Sequence, residues 1–181
     1  MVADLLNRRH PLPHWLKRSA RVDLLQLLAG VRPAIRTETV GFVEYVVIQR
    51  WARGFGWFVA FDDPFIALSP IPGLSRQILA IDRQPAPHTL RLGLALGYPL
   101  CCCRAAERVG ENNLDDWSAT MGRRAFFGCF KLINPSGYGE GLSLISHIPC
   151  SPHCAASLRL VNGVLQKLGR PPEPSRRNTV K

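Results

Sequence analysis

The placement of cysteine constrains this chain more than any other feature. Five of its six cysteines fall in two short blocks, Gly97-Tyr98-Pro99-Leu100-Cys101-Cys102-Cys103 and His147-Ile148-Pro149-Cys150-Ser151-Pro152-His153-Cys154. In each block a proline precedes or interrupts the cysteines just where an apolar helical pattern begins, so both sulfur groups are expected at helix N-termini. A thiolate there meets the positive end of the helix dipole and unpaired backbone N–H groups. Both favour the deprotonated form that metal binding and nucleophilic chemistry need. The two blocks therefore read as one site assembled from distant segments.

Helix geometry narrows the ligand set. Neighbouring residues are about 100° apart around a helix and residues two apart face nearly opposite ways, so Cys101 and Cys103 do not easily serve one ion. Cys102 shares its face with Ala106 and Val109 and should point inward. So should Cys154, which steps by four and three through Leu158, Val161, Leu165 and Leu168. Cys101, Cys102, Cys150 and Cys154 then supply four sulfurs, the ligand count of tetrahedral zinc or of a cysteine-bound iron–sulfur cluster. The Cys-x-x-x-Cys spacing of the second block suits a metal, whereas an adjacent pair replaces the usual Cys-x-x-Cys in the first. His147 and His153 flank the second block. Either could replace a sulfur, and His147 is kept as the candidate ligand, although a hydrogen-bonded role is the plainer reading of each. Cys103 and Cys129 read as small buried hydrophobes.

The compartment sharpens this reading. No apolar run approaches the ~20 residues of a membrane span, and Met1 to His14 lacks the apolar stretch of a signal peptide, so a cytoplasmic protein with no membrane association is expected. Cytosolic thiols are kept reduced, which favours metal ligands or catalytic thiols over a disulfide scaffold. With 46% hydrophobic and 20% charged residues in 181, the chain should form a single globular domain over residues 1–169. The Pro-, Ser-, Arg- and Asn-rich residues 170–181 read as a disordered basic tail. A net charge of +10 makes a polyanionic partner conceivable, but the basic residues are scattered in pairs such as Arg8-Arg9, Lys17-Arg18, Arg123-Arg124 and Arg176-Arg177. Nucleic acid is thus permitted by the charge and not favoured by its distribution. A small molecule or another protein is the expected partner class.

The patterning predicts an α+β fold, a small antiparallel sheet with several helices. Residues 12–29 have a helical period stopped by Gly30 and Pro33. Val40–Ile48 and Trp57–Phe61 read as a hairpin across Arg53-Gly54-Phe55-Gly56, with a third strand at Phe65–Leu68 after the Asp62-Asp63-Pro64 turn. Leu74–Ile81 fits either a helix or a strand. Short helices are expected from Thr89 to Leu96, from Pro99 to about Val109 and over Leu114–Met121. Ala125–Ile133 and Leu142–Ile148 read as strands around the loop Asn134–Gly141. The last helix should take Ser151 as N-cap and Pro152 as its first residue, and should stop at Gly169.

The blocks Gly97-Tyr98-Pro99-x-Cys101-Cys102 and His147-x-Pro149-Cys150-Ser151-x-x-Cys154 resemble the two signature blocks of a prokaryotic family of unknown function, with the intervening strand and Asn-rich turn in the same order. The resemblance covers roughly Leu94 to Ser157. It implies that Cys101, Cys102, Cys150 and Cys154 are the family's cysteines and that Cys103 is a local addition. It implies no settled activity.

Three functions compete. The first is a metal-binding protein whose cysteine-ligated zinc or iron–sulfur group joins two helix N-termini. The second is a metal-free thiol redox protein or cysteine-nucleophile enzyme using Cys102 or Cys154. Adjacent cysteines favour the first, because a disulfide between immediate neighbours is strained. The third is a basic nucleic-acid-binding module with a structural metal. No acid–base pair stands out, and Glu140 in the glycine-rich loop is only the least implausible catalytic carboxylate.

Overall fold

The turn at Asp63-Pro64 organises the fold, because the β-branched and aromatic residues on either side of it pair. In the computed structural model, which describes residues 16–38, 41–126, 131–140 and 142–169, β2 (Phe58–Asp62) and β3 (Phe65–Ser69) form an antiparallel hairpin with Phe58 opposite Ser69 and Asp62 opposite Phe65. On the other edge of β3 lies β1 (Ile35–Glu38), also antiparallel, with Ile35 opposite Leu68. The strand order is β1-β3-β2. Seven helices surround this sheet among the described residues: α1 (Arg18–Leu28), α2 (Phe42–Arg53), α3 (Leu74–Asp82), α4 (Thr89–Ala95), α5 (Leu100–Val109), α6 (Leu114–Phe126) and α7 (Ala155–Lys167). The class is α+β, as the patterning predicts. Among the described residues no helix is long and apolar enough to cross a membrane.

The central strand shows why two layers of helix are needed. Ile66 and Leu68 face one way, into a core with Leu24 and Leu25 of α1, Ile48 of α2 and Val161 of α7. Ala67 faces the other way, with Ala60, Ile78, Leu79 and Leu96. Successive side chains of a strand alternate between faces, so an apolar run through β3 requires cover on both. The helix α3 supplies part of it, which resolves the ambiguous segment after Gly73 as helix.

Several expected strands take other forms. Val40–Ile48 is not the first arm of a hairpin, because Phe42–Arg53 is helix α2. Its buried or half-buried residues Tyr45, Ile48 and Ala52 recur at three and four, and Glu44 in the first turn and Arg50 and Arg53 in the last complement the dipole. The β-branched residues that suggested a strand, Val43, Val46 and Val47, lie on the exposed face. Packing of one helical stripe outweighed their β propensity. Where a strand was expected over Ala125–Ile133, α6 runs on to Phe126, residues 127–130 lie outside the described residues, and Lys131–Ile133 is a single 3₁₀ turn.

Leu142–Ile148 likewise forms no strand among its described residues. Leu144 and Ile145 are fully buried, but the segment's backbone bonds are those of a turn rather than a ladder, Leu142 N and Ser143 N both donating to Gly137 O and Leu144 N to Leu132 O at 2.8 Å. The Ser143 hydroxyl occupies the neighbouring positions, donating to Leu132 O and accepting from Ile145 N. A serine side chain bonding the local backbone replaces the ladder a strand would need. The expected tail, residues 170–181, lies outside the described residues.

Candidate metal centre

The first sulfur group is positioned by the turn between α4 and α5. Gly97, at φ +78°, closes α4, with Tyr98 N donating to Gly93 O at 2.8 Å and Gly97 N to Leu94 O at 3.0 Å. That left-handed conformation favours glycine, and a Cβ at this position would also overlap Pro33 Cδ. The chain then turns directly into Pro99, the N-cap of α5, whose carbonyl accepts from both Cys102 N and Cys103 N. Cys101 and Cys102 therefore occupy the first helical turn, as expected.

The second group differs from expectation in its cap. Ser151 and Pro152 form a turn before the helix, closed by Cys154 N donating to Ser151 O at 3.1 Å, and α7 starts at Ala155. Cys154 is itself the N-cap, its sulfur accepting from Ser157 N at 3.5 Å. A sulfur here takes the place usually filled by a serine or aspartate oxygen, satisfying an orphan N–H of the first turn. The helix still ends as expected before Gly169, at φ +67°.

These two ends meet. Cys102 Sγ lies 3.6 Å from Cys154 Sγ, Cys101 Sγ 3.9 Å from Cys102 and 3.8 Å from Cys154, and Cys150 Sγ 3.6 Å from Cys154. All four sulfurs fall within 4.8 Å of one another. Cys102 and Cys154 are buried, Cys150 is half-buried and Cys101 is exposed, so the group sits at the surface with its inner edge in the core. This is the set expected from the spacing. Two backbone N–H groups also point at sulfur: Ser157 N at Cys154, and Cys150 N at Cys102 at 3.4 Å.

The other sulfur and nitrogen candidates stand apart. Cys103 is buried against the turn, its thiol 3.7 Å from Tyr98 O and pushed up to about 11 by burial, an ordinary core cysteine packed where α5 crosses Gly93. Cys129 lies outside the described residues. His147 is not one of the four. Its Nε2 is 2.8 Å from Ser157 Oγ, which in turn is 3.5 Å from Cys102 Sγ, so it reaches the sulfurs through a hydroxyl. Burial, with the Arg32 cation adding to it, pushes His147 down to about 3, and the imidazole is neutral. Such a chain of contacts orients ligands rather than replacing one. His153 is exposed and is not one of the four. Glu140 is exposed in its loop.

As free thiols Cys102, Cys150 and Cys154 share protons unequally. The bond from Cys102, joined by bonds from Ser157, pulls Cys154 down to about 3. The same bond, with burial, pushes Cys102 far up, and burial first and then Cys154 push Cys150 up to about 12. Negative charge is thus favoured on Cys154, while Cys102 and Cys150 hold protons.

A polar network invisible in the sequence supports the second block. Arg32 is almost fully buried, donating to Asp23 Oδ1 at 3.0 Å, to Leu96 O at 2.8 Å and to Ser146 Oγ, with its guanidinium 4.5 Å from the centre of the Tyr98 ring. Tyr138 donates to the other Asp23 oxygen at 2.7 Å. The group ties α1, the α4–α5 turn and the segment leading to Cys150 together. Its only sequence signal is Asp23 among the leucines of α1, and nothing local marks Arg32. No family model, curated protein or solved structure matches the chain.

Proposed function

We propose that this protein binds one tetrahedral metal ion, zinc by its ligand chemistry, through Cys101, Cys102, Cys150 and Cys154. One observation carries the reading. Ligands about 2.3 Å from a central zinc lie about 3.8 Å apart along the edges of the tetrahedron. The closest sulfur separations here run from 3.6 to 3.9 Å. A cubane cluster would need wider spacing, because each cysteine caps a different iron rather than sharing one centre. That compactness favours a single ion over an iron–sulfur cluster.

Four protein ligands leave no open position, which suits a structural role. The ion would join α5 to α7 and hold residues 142–154, which have no regular secondary structure of their own among those described. The family resemblance of the two blocks points to the same four cysteines, and we retain it as part of the proposal. The thiol-enzyme reading has Cys154 in its favour as the low-pKa sulfur, but that residue is only 4% exposed and ringed by three other thiols. An attacking sulfur needs access that this one lacks.

The test is metal content and an absorption spectrum on protein purified without oxygen. We expect colourless protein with one zinc per chain, and intense visible bands when cobalt replaces it. Brown protein containing sulfide would overturn the single ion in favour of a cluster. Metal-free protein with rapidly alkylated thiols would overturn metal binding altogether.

A further inference from the structure

A cavity of about 380 Å³ opens beside the cysteine group, with Cys102 and Cys103 in its wall. Its size falls within the range of small-ligand sites, about 300–1,000 Å³. Most of the lining is apolar, from Leu92 and Leu96 at the α4 side to Ala106 of α5 and Leu114 of α6. The polar groups are concentrated around His88, with Asp82 on one side and Glu111 on the other.

Two features of this cavity have no explanation within the protein. Both histidines in its wall, His88 and His147, keep a buried Nδ1 without a hydrogen-bond partner, and His147 is only 8% exposed. Unpaired buried ring nitrogens are rare, because each forfeits its hydration. The carboxylates are also incompletely used. Glu111 accepts from Thr89 Oγ1 at 2.8 Å and His88 N at 3.4 Å through one oxygen, and Asp82 accepts from Arg36 Nε at 2.8 Å through one oxygen. His88 Nε2 is 4.0 Å from the second Asp82 oxygen and its Nδ1 3.5 Å from Glu111 Oε1, so neither contact makes a full hydrogen bond. Arg36 is engaged with Asp82, whereas Glu111 faces His88.

We propose that this cavity binds a small organic cation, a primary amine or amidinium on an apolar body, with its charged end between Asp82, His88 and Glu111 and its body against Leu92, Leu96, Ala106 and Leu114. The ligand's N–H groups meet the carboxylate oxygens left without donors, Asp82 Oδ1 and Glu111 Oε2, and its charge pairs with Glu111. A carboxylate or phosphate would find only a guanidinium that is already paired. The proposal is independent of the metal, since none of these acceptors is a cysteine.

The experiment is calorimetric titration of the full chain, with its metal content measured, using benzylamine, benzyl alcohol and benzoate as probes of one shape and three charges. Benzylamine should bind once per chain, about tenfold or more tighter than benzyl alcohol, the difference expected of a hydrogen bond to a charged group. Benzoate should not bind. Glu111→Gln should weaken benzylamine about tenfold and leave benzyl alcohol unchanged. Ala106→Phe should abolish both. If Glu111→Gln fails to fold, Asp82→Asn provides the same comparison. Equal binding of all three probes, or none by a folded protein, overturns the proposal. Metal-free protein that still binds benzylamine would overturn the zinc reading alone, and zinc-loaded protein that ignores benzylamine would overturn only this one.

Discussion

Cys102 and Cys154, 52 positions apart, bring their sulfurs to 3.6 Å, the first inside the opening turn of α5 and the second capping α7. Two helix N-termini thus converge on one point. Their dipoles and the N–H groups of Cys150 and Ser157 make that point favourable for negative charge, which four thiolates around a divalent ion would supply.

If the four sulfurs act as one ligand set, losing any of the inner members should empty the site. We expect Cys102→Ser and Cys154→Ser to fall from one ion per chain to nearly none. Cys103→Ala should keep the ion, at a cost of about 1 kcal/mol for the small core void. Elemental analysis and thermal denaturation of the three variants check this. Metal retained by Cys154→Ser would rule the tetrad out as the ligand set.

Metal uptake should release protons. The raised Cys102 and Cys150 thiols are protonated at neutral pH and must ionise to bind, so at least two protons leave per ion. Apparent affinity should therefore rise with pH, at least about a hundredfold per unit through the neutral range, and fall as acid restores the thiols. Titrations in buffers of differing ionisation enthalpy measure the count directly. Release of less than one proton would show that the thiols are already ionised.

Arg32 and Asp23 form a buried ion pair, 1% and 2% exposed. Arg32→Met should cost about 3–5 kcal/mol, because it leaves a buried carboxylate uncompensated. Burial already holds Asp23 above the ordinary carboxylate range, against the pull of Arg32, Tyr138 and Ser146, and removing Arg32 raises it further. A folded-state pKa above the unfolded one gives stability at low pH that is lost as pH rises through it. The variant should therefore be relatively more stable at mildly acidic than at alkaline pH, and adding Asp23→Leu should recover much of the loss. Urea denaturation across pH provides the measurement, and a flat difference between the two proteins would count against the ion pair.

Gly97→Ala should destabilise the protein by about 2–4 kcal/mol, combining the left-handed backbone with the overlap on Pro33. Because this turn sets the start of α5, metal affinity should drop as well. An alanine variant of unchanged stability and affinity would show that the turn can relax without moving Cys101 and Cys102.

Much of the site was legible because its signals are local. Proline before adjacent cysteines marked the start of α5, the stripe from Cys154 to Leu168 marked the inner face of α7, and Asp62-Asp63-Pro64 marked the turn between two strands. Where two local signals conflicted, reading failed. In α2 the valines argued for a strand, and only the core under Tyr45, Ile48 and Ala52 decided for helix. In Leu142–Ile148 the apolar run argued for a strand, and bonds to single carbonyls of Gly137 and Leu132 in place of a ladder decided against it. The cap of α7 moved from Ser151 to Cys154 because Ser151 and Pro152 turn before the helix and the Cys154 sulfur takes the N–H of Ser157, a choice that residue preferences do not record.

What the order of residues settled, then, was which sulfurs face inward and where the helices that carry them begin, since both depend on neighbours within a turn or two. Packing across the sheet settled the rest: the 3.6 to 3.9 Å spacing of the closest sulfurs, the buried partnership of Arg32 with Asp23, and the cavity between α4, α5 and α6. Those relations join segments far apart in the chain, and periodicity carries no information about distances between elements that only a common core brings together.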